Sequence, residues 1–125
     1  LDQSNECGLT KGLGCIQGEV IPIPLKSNNT DLKIPHIGWN KIHKPKNNLD
    51  WNNSILKDIS NKDSFYFVHS FIAKPIDPNN HLADSFYGDT KIPSVIQSEN
   101  VMGCQFHPEK SGVSGLKFLK NFIEI

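Results

Sequence analysis

The chain has 125 residues, enough for one domain with a buried core and too few for two comfortable ones. Its 13 basic residues are all lysine and balance 13 acidic ones, so it has no guanidinium forks for phosphate or guanine, and nucleic-acid binding has little support. No apolar run approaches a membrane span, no charged-then-apolar leader opens the chain, and three cysteines without a CxxC make neither a disulfide framework nor a zinc site, which suits a reducing cytoplasm.

Residues 1–15 hold few periodic apolar positions, and Gly8, Gly12 and Gly14 punctuate them as loop. Cys7 falls in that loop, whereas Cys15, beside Ile16, is expected to pack. Val20 to Ile23 reads as a strand, and Pro22 and Pro24 predict an edge position because proline cannot donate to a ladder. Ser27 to Asp31 reads as a turn, and Lys33 to His43 as a second extended region broken by Pro35 and Gly38. Asn47 to Asn53 is an asparagine-rich loop with Trp51 as its anchor. Its sequon Asn52-Asn53-Ser54, like Asn28-Asn29-Thr30, is read as loop polarity in the absence of a secretion signal.

Ser54 is expected to cap a short helix through Ile59, with Ile55, Leu56 and Ile59 on one side. Phe65 to Ala73 is the most strand-like run, rich in aromatic and β-branched residues. Pro75 to Asn80 and the end of Phe86-Tyr87-Gly88-Asp89 read as turns. Pro93 to Gln97 and Val101 to Phe106 are expected to pair across a three-residue loop, Ser98-Glu99-Asn100. From Val113 the apolar residues fall at 113, 116, 118, 119, 122 and 123, which predicts a helix packing that face on a sheet, lysines outward. His36, His43 and His81 have no metal-ligand spacing and are assigned no role.

The chemistry concentrates in Gly103-Cys104-Gln105-Phe106-His107-Pro108-Glu109-Lys110-Ser111. Pro108 stops the preceding strand and biases His107 towards an extended backbone, so the imidazole stands at a strand end. Glu109 is close enough to bond one ring nitrogen and leave the other for a thiol or hydroxyl. The same residues also fit a plain His-Pro turn with a solvated Glu. Alternation along the strand puts Cys104 with Phe106 and opposite Gln105 and His107, which makes Cys104 a core cysteine.

His107-Pro108-Glu109-Lys110-Ser111 after Gly103-Cys104-Gln105-Phe106 resembles the histidine and glutamate segment of class I (triad) glutamine amidotransferases. The Lys-Ser ending looks most like the glutaminase subunit of imidazole glycerol phosphate synthase. Gly12-Leu13-Gly14 with Gly18-Glu19-Val20, Pro35-His36-Ile37-Gly38-Trp39-Asn40 and Phe65-Tyr66-Phe67-Val68-His69-Ser70 agree in order. The resemblance covers the C-terminal portion of such a domain and implies an α/β fold with a mixed sheet and a C-terminal helix. Residues 1–125 would be part of that single domain. The chain opens on Leu1, without Met, and reads as a fragment.

By resemblance, His107 is the base and Glu109 its orienter in glutamine hydrolysis, with no cofactor or metal. Main-chain groups of Ser70 and Phe71, beside His69, would meet the amino-acid end of L-glutamine; His69 could equally be a core histidine at a strand edge. Trp39, Asn40, Tyr66 and Lys110 resemble the surface that meets a (β/α)₈ cyclase subunit in a heterodimer of histidine biosynthesis. Trp39 covering the core and Lys110 as a solvated lysine are the alternatives on those residues. The family carries its nucleophile in a Gly-x-Cys-x-Gly elbow, which these residues lack, so the sulfur is expected upstream and the fragment alone is expected to be inactive. A sister amidotransferase feeding a nucleotide-sugar precursor, or a non-catalytic binding subunit, would read similarly.

Overall fold

The computed structural model describes residues 1–27, 30–45 and 50–125. It is an α/β domain built from short strands and one C-terminal helix. β1 (Gln3–Ser4), β2 (Thr10–Lys11) and β3 (Gly18–Pro22) form a mixed sheet, in the order β2-β1-β3-β8, with β8 (Phe71–Pro75). β1 and β3 run parallel, and β8 is antiparallel to β3. The two-residue strands β4 (Lys26–Ser27) and β5 (Thr30–Asp31) pair on their own. The tip of the predicted 27–31 turn and residues 47–49 of the asparagine-rich loop lie outside the described residues. β6 (His36–Lys41) and β7 (Ser64–His69) form a ribbon, and β9 (His81–Tyr87), β10 (Thr90–Ser98) and β11 (Val101–Cys104) a three-stranded antiparallel sheet.

Several expectations are corrected. β3 is interior to its sheet, not at an edge, because β1 pairs on its other side. Pro22 fits there because Pro22 and Phe71 are opposed without exchanging hydrogen bonds; the local bond runs from Ile23 N–H to the Ser70 carbonyl. The run predicted as one strand over 65–73 breaks at Ser70, where the chain leaves β6 as partner and joins β3. The β10–β11 loop holds two residues, since Ser98 and Val101 are paired and Glu99 takes φ 53°. Residues 54–59 form hydrogen-bonded turns instead of a helix, with Asp58 at φ 59°. Ser54 Oγ does accept from the Leu56 amide, and Ile55, Leu56 and Ile59 are buried as expected.

The core joins these turns to both antiparallel units. Phe65 and Phe67 of β7 alternate inward, and Phe106 enters between them and Phe118 of the helix. Trp51 is the expected anchor: it is buried and donates its indole N–H to the Leu82 carbonyl at 2.8 Å.

Helix α1 (Gly112–Glu124) is present, but of the predicted apolar face it buries only Phe118, together with Gly115 and Asn121. Val113, Leu116 and Ile123 are 80%, 67% and 81% exposed, so the apolar count pointed the wrong way. Two short-range demands set the rotation. A Cβ on residue 115 would collide with the Pro108 carbonyl, so only glycine lets the helix lie that close to the preceding turn. Asn121 Nδ2 donates to the Ile55 and Lys57 carbonyls at 2.9 and 2.7 Å, satisfying backbone groups that the non-helical turns leave free. Among the described residues no helix is long and apolar enough to cross a membrane.

Candidate active site

The segment carrying His107 is positioned by a change of partner. Its β11 end pairs with β10, and Gln105 N–H still reaches the Ser94 carbonyl at 2.9 Å. Phe106 then drops into the aromatic core, stacked on Phe65 at 4.2 Å between ring centroids. One residue later His107 N–H donates to the Tyr66 carbonyl of β7 at 2.9 Å. Pro108 opens a 3₁₀ turn, Pro108–Lys110, with His107 extended just before it (φ −95°, ψ 98°).

Ser111 locks this turn, a role the sequence reading did not assign. Its hydroxyl donates to the His107 carbonyl at 2.6 Å and accepts from the Tyr66 amide at 2.9 Å, while the residue is 2% exposed. With the His107–Tyr66 bond this closes a ring of main-chain contacts around His107. A serine bonding back to the carbonyl four residues earlier was the available sequence signal.

His107 Nδ1 and Glu109 Oε1 lie 3.0 Å apart, with the side chains 39% and 57% exposed. A carboxylate only accepts, so His107 donates from Nδ1 and its Nε2 is left outside this bond. Glu109's own backbone amide holds its carboxyl below the usual carboxylate range; the bond and charge of His107 and the charge of Lys110 add to this. Glu109 is therefore ionised at neutral pH. The expected contact between the two side chains exists, and both are open to solvent.

Cys104 is half-buried rather than a fully enclosed core residue. Its thiol contacts the Phe106 carbonyl at 3.5 Å and borders a small cavity shared with Ile55, Met102 and Phe118. Burial, with the charge of Glu109 adding, pushes the thiol up to about 11, so it is not a thiolate at neutral pH. Cys15 is exposed, contrary to expectation, and Cys7 is exposed in a turn at φ 55°. Among the described residues no group of three or more His, Cys, Asp or Glu could hold a metal ion.

The other singled-out residues lie along β6 and β7. Trp39 is 55% exposed, so it does not seal the core, and it faces its cross-strand partner Tyr66 at 5.9 Å between rings. Asn40 Nδ2 donates to the Phe86 carbonyl at 2.8 Å. Lys110 is exposed at the end of the 3₁₀ turn, its amide bonded to the His107 carbonyl at 3.1 Å. Tyr66 thus joins Trp39 and the His107 turn through ring on one side and backbone on the other. His69, Ser70 and Phe71 sit at the far end of β7, about 10 Å from Tyr66 at the usual rise per strand residue. His69 is held by a partner the sequence reading left without a role: His36 Nδ1 is 2.8 Å from His69 Nε2.

The structure thus presents an oriented imidazole at a strand end, clamped on an α/β scaffold with a mixed sheet. Residues 13–125 match the family described as glutamine amidotransferase class-I, and the chain belongs to that family. It is 48% identical over 126 residues to imidazole glycerol phosphate synthase subunit HisH 1 of Legionella pneumophila (strain Lens), covering 100% of this chain and 59% of that protein. Subunit HisH of Lactococcus lactis is 46% identical over 114 residues, covering 91% and 51% respectively. Subunit HisH of Methanosarcina acetivorans is 44% identical over 126 residues, covering 100% and 57%. The chain spans less than two thirds of the length of these relatives.

Proposed function

We propose that the complete protein hydrolyses L-glutamine and delivers the ammonia to a (β/α)₈ cyclase subunit that makes imidazole glycerol phosphate for histidine biosynthesis. His107 serves as general base and acid and Glu109 fixes its tautomer. The nucleophile is a cysteine thiol contributed by sequence N-terminal to residue 1. Three observations support a nucleophile outside these residues: they contain no Gly-x-Cys-x-Gly, the Cys104 thiol is held protonated, and the relatives are longer. His107 Nε2 takes the thiol proton, and the thiolate attacks the side-chain amide carbon of glutamine. The protonated imidazole then gives that proton to the departing nitrogen, releasing ammonia and leaving a glutamyl thioester. Water, deprotonated by the same nitrogen, cleaves the thioester to glutamate and regenerates the thiol.

Main-chain groups of Ser70 and Phe71, beside His69, take the amino-acid end of glutamine. Trp39, Asn40, Tyr66 and Lys110 face the cyclase; the Trp39–Tyr66 ring contact reaches the His107 turn through the Tyr66 carbonyl. The reaction needs no cofactor, and the enzyme works in the reducing cytoplasm as one half of a heterodimer.

The observation that carries this reading is the 3.0 Å contact of Glu109 with His107 Nδ1, which leaves Nε2 out of that bond. General acid-base help of this kind contributes roughly 10²–10⁴ in rate, so His107→Ala in the complete protein with its cyclase should lose at least that factor in glutaminase kcat. The denaturant midpoint should barely move, because the ring is largely outside the core. Retained turnover in a folded His107→Ala protein would sink the proposal.

A further inference from the structure

His36 and His69 are directly opposed on β6 and β7, so both side chains lie on one face of the ribbon. His36 is 2% exposed and lies between two aromatic planes, Tyr87 at 4.2 Å and 19° and Phe67 at 5.4 Å and 22°. That sandwich fixes the plane of its ring and directs Nδ1 at His69 Nε2, 2.8 Å away. On the far side of His69, Nδ1 lies 2.9 Å from the Phe71 carbonyl.

The protons on this chain follow from the groups at its ends. A carbonyl only accepts, so His69 carries its hydrogen on Nδ1. Neutral His69 then has only a lone pair at Nε2, and His36 must donate from its own Nδ1. The order is one-directional: His36 Nδ1–H to His69 Nε2, then His69 Nδ1–H to Phe71 O.

The Phe71 carbonyl has no use within its own sheet. Ile23 N–H bonds the Ser70 carbonyl, which makes Pro22 and Phe71 a pair that exchanges no hydrogen bonds, so the Phe71 C=O and N–H both leave β8 on the side away from β3. The Ser70–Phe71 turn is thereby held from two sides, by Ile23 at the Ser70 carbonyl and by His69 at the Phe71 carbonyl. What remains outward is the Phe71 N–H, a donor suited to a substrate carboxylate.

We propose that His36, acting through His69, is a positioning residue for the glutamine-binding turn: its Nδ1–H selects the His69 tautomer that anchors the Phe71 carbonyl and aims the adjacent N–H at the amino-acid end of the substrate. This rests on the glutaminase reading above and adds to it a residue that touches neither substrate nor the reacting atoms. Burial supports the neutral state of both rings: it pulls His69 below the usual histidine range and His36 down to about 4, the second with help from the charge of His69. The chain also links β6, which carries Trp39, to the substrate turn through one hydrogen-bonded pair of side chains.

The test is kinetic and spectroscopic, on the complete protein with its cyclase. His36→Phe keeps a flat ring in the sandwich and removes the donor. One neutral hydrogen bond corresponds to about a tenfold change, so KM for glutamine should rise roughly tenfold while kcat stays within about threefold. His36→Gln, whose amide can still donate towards His69, should recover KM to within about threefold of the parent. A purely structural His36 would lower the active fraction and leave KM unchanged, and that result would overturn the proposal. If the phenylalanine variant does not fold, nitrogen NMR of the parent's histidines decides. His69 protonated at Nδ1 and accepting at Nε2 at pH 7 supports the chain; the opposite tautomer refutes it. A parent protein without any glutaminase activity would refute the functional reading instead, and the NMR result would still judge the hydrogen-bond chain alone.

Discussion

A histidine–glutamate pair near Tyr66 and a histidine–histidine pair at His69 flank β7, and they solve opposite problems. At the Tyr66 end, His107 is solvent-facing and partnered by an ionised carboxylate two residues away. At the other end, His36 and His69 are 33 residues apart in sequence, buried among aromatic rings, and neutral. The exposed pair suits proton transfer, because water and a carboxylate stabilise the imidazolium formed when the ring takes a proton. The buried pair suits fixed geometry, because desolvation makes that same imidazolium costly and so locks the tautomers. One strand therefore borders two unlike histidine sites: at the Tyr66 carbonyl a partly exposed ring beside a carboxylate, and at His69 a desolvated histidine pair.

The comparison sharpens first at Glu109. If its role is to aim His107, then Glu109→Gln in the complete protein should lower glutaminase kcat by about 10², near the low end of general acid-base contributions. The amide can still accept from Nδ1 but cannot stabilise a charged ring. Because both side chains are largely exposed, the urea midpoint should not change. Unchanged kcat would mean that the 3.0 Å contact is a surface ornament.

Next in size is Ser111→Ala. The hydroxyl is buried and bonded to both the Tyr66 amide and the His107 carbonyl, so removing it strands two polar groups at a cost of about 2 kcal/mol. Chemical denaturation gives that number directly. Glutaminase kcat should fall as well, because His107 loses its clamp. Wild-type stability in the alanine variant would show that water replaces the hydroxyl and that the ring of contacts does not hold the site.

The buried pair predicts an acid-sensitive step with a defined sign. His36 titrates at about 4 when folded and at the ordinary 6.5 when unfolded. Between those values the unfolded chain binds the extra proton, so stability is complete above pH 6.5 and is lost as pH falls towards 4. At about 1.4 kcal/mol per pH unit, the loss should be roughly 3 kcal/mol across that window. Subtracting the stability-versus-pH curve of His36→Phe from that of the parent should isolate it. Parallel curves would mean that the pair takes up protons freely in the folded state.

Distance along the chain decides how much of this was legible beforehand. The His107–Glu109 contact could be read because Pro108 sits between the two residues and restricts the backbone on both sides. Trp51 as an anchor, the strand that opens at Phe65 and the presence of the C-terminal helix followed from residue type and local period. The His36–His69 pair could not be read, since nothing in local spacing brings β6 against β7 in that register. The break at Ser70 was hidden because strand propensity is equally high on both sides of it; only a change of pairing partner marks it. The rotation of α1 was misread because hydrophobicity was counted while the deciding residues were a glycine and an asparagine. Gly115 permits contact with the Pro108 carbonyl, and Asn121 satisfies carbonyls of a segment wrongly expected to be helical.

The smallest expected effect concerns Cys104, whose place near both Glu109 and the core makes it the test of where the sulfur chemistry resides. Its thiol is held up to about 11, so it is a hydrogen-bonded filler between Phe106 and the cavity beside Phe118. Replacing a half-buried thiol by a methyl group removes little volume, so Cys104→Ala should cost below about 1 kcal/mol in stability. If the reactive sulfur lies elsewhere in the complete chain, as proposed, glutaminase kcat and KM should match the parent and thiol-directed alkylation should still abolish activity in the variant. Loss of turnover in folded Cys104→Ala, with alkylation of the parent mapping to residue 104, would move the nucleophile into this segment. The strand would then have to rotate by one residue to bring that sulfur to the face of His107, exchanging Phe106 out of the aromatic core. A change of that size would cost far more than the substitution itself, so the stability measurement on the same variant gives an independent check on the kinetic one.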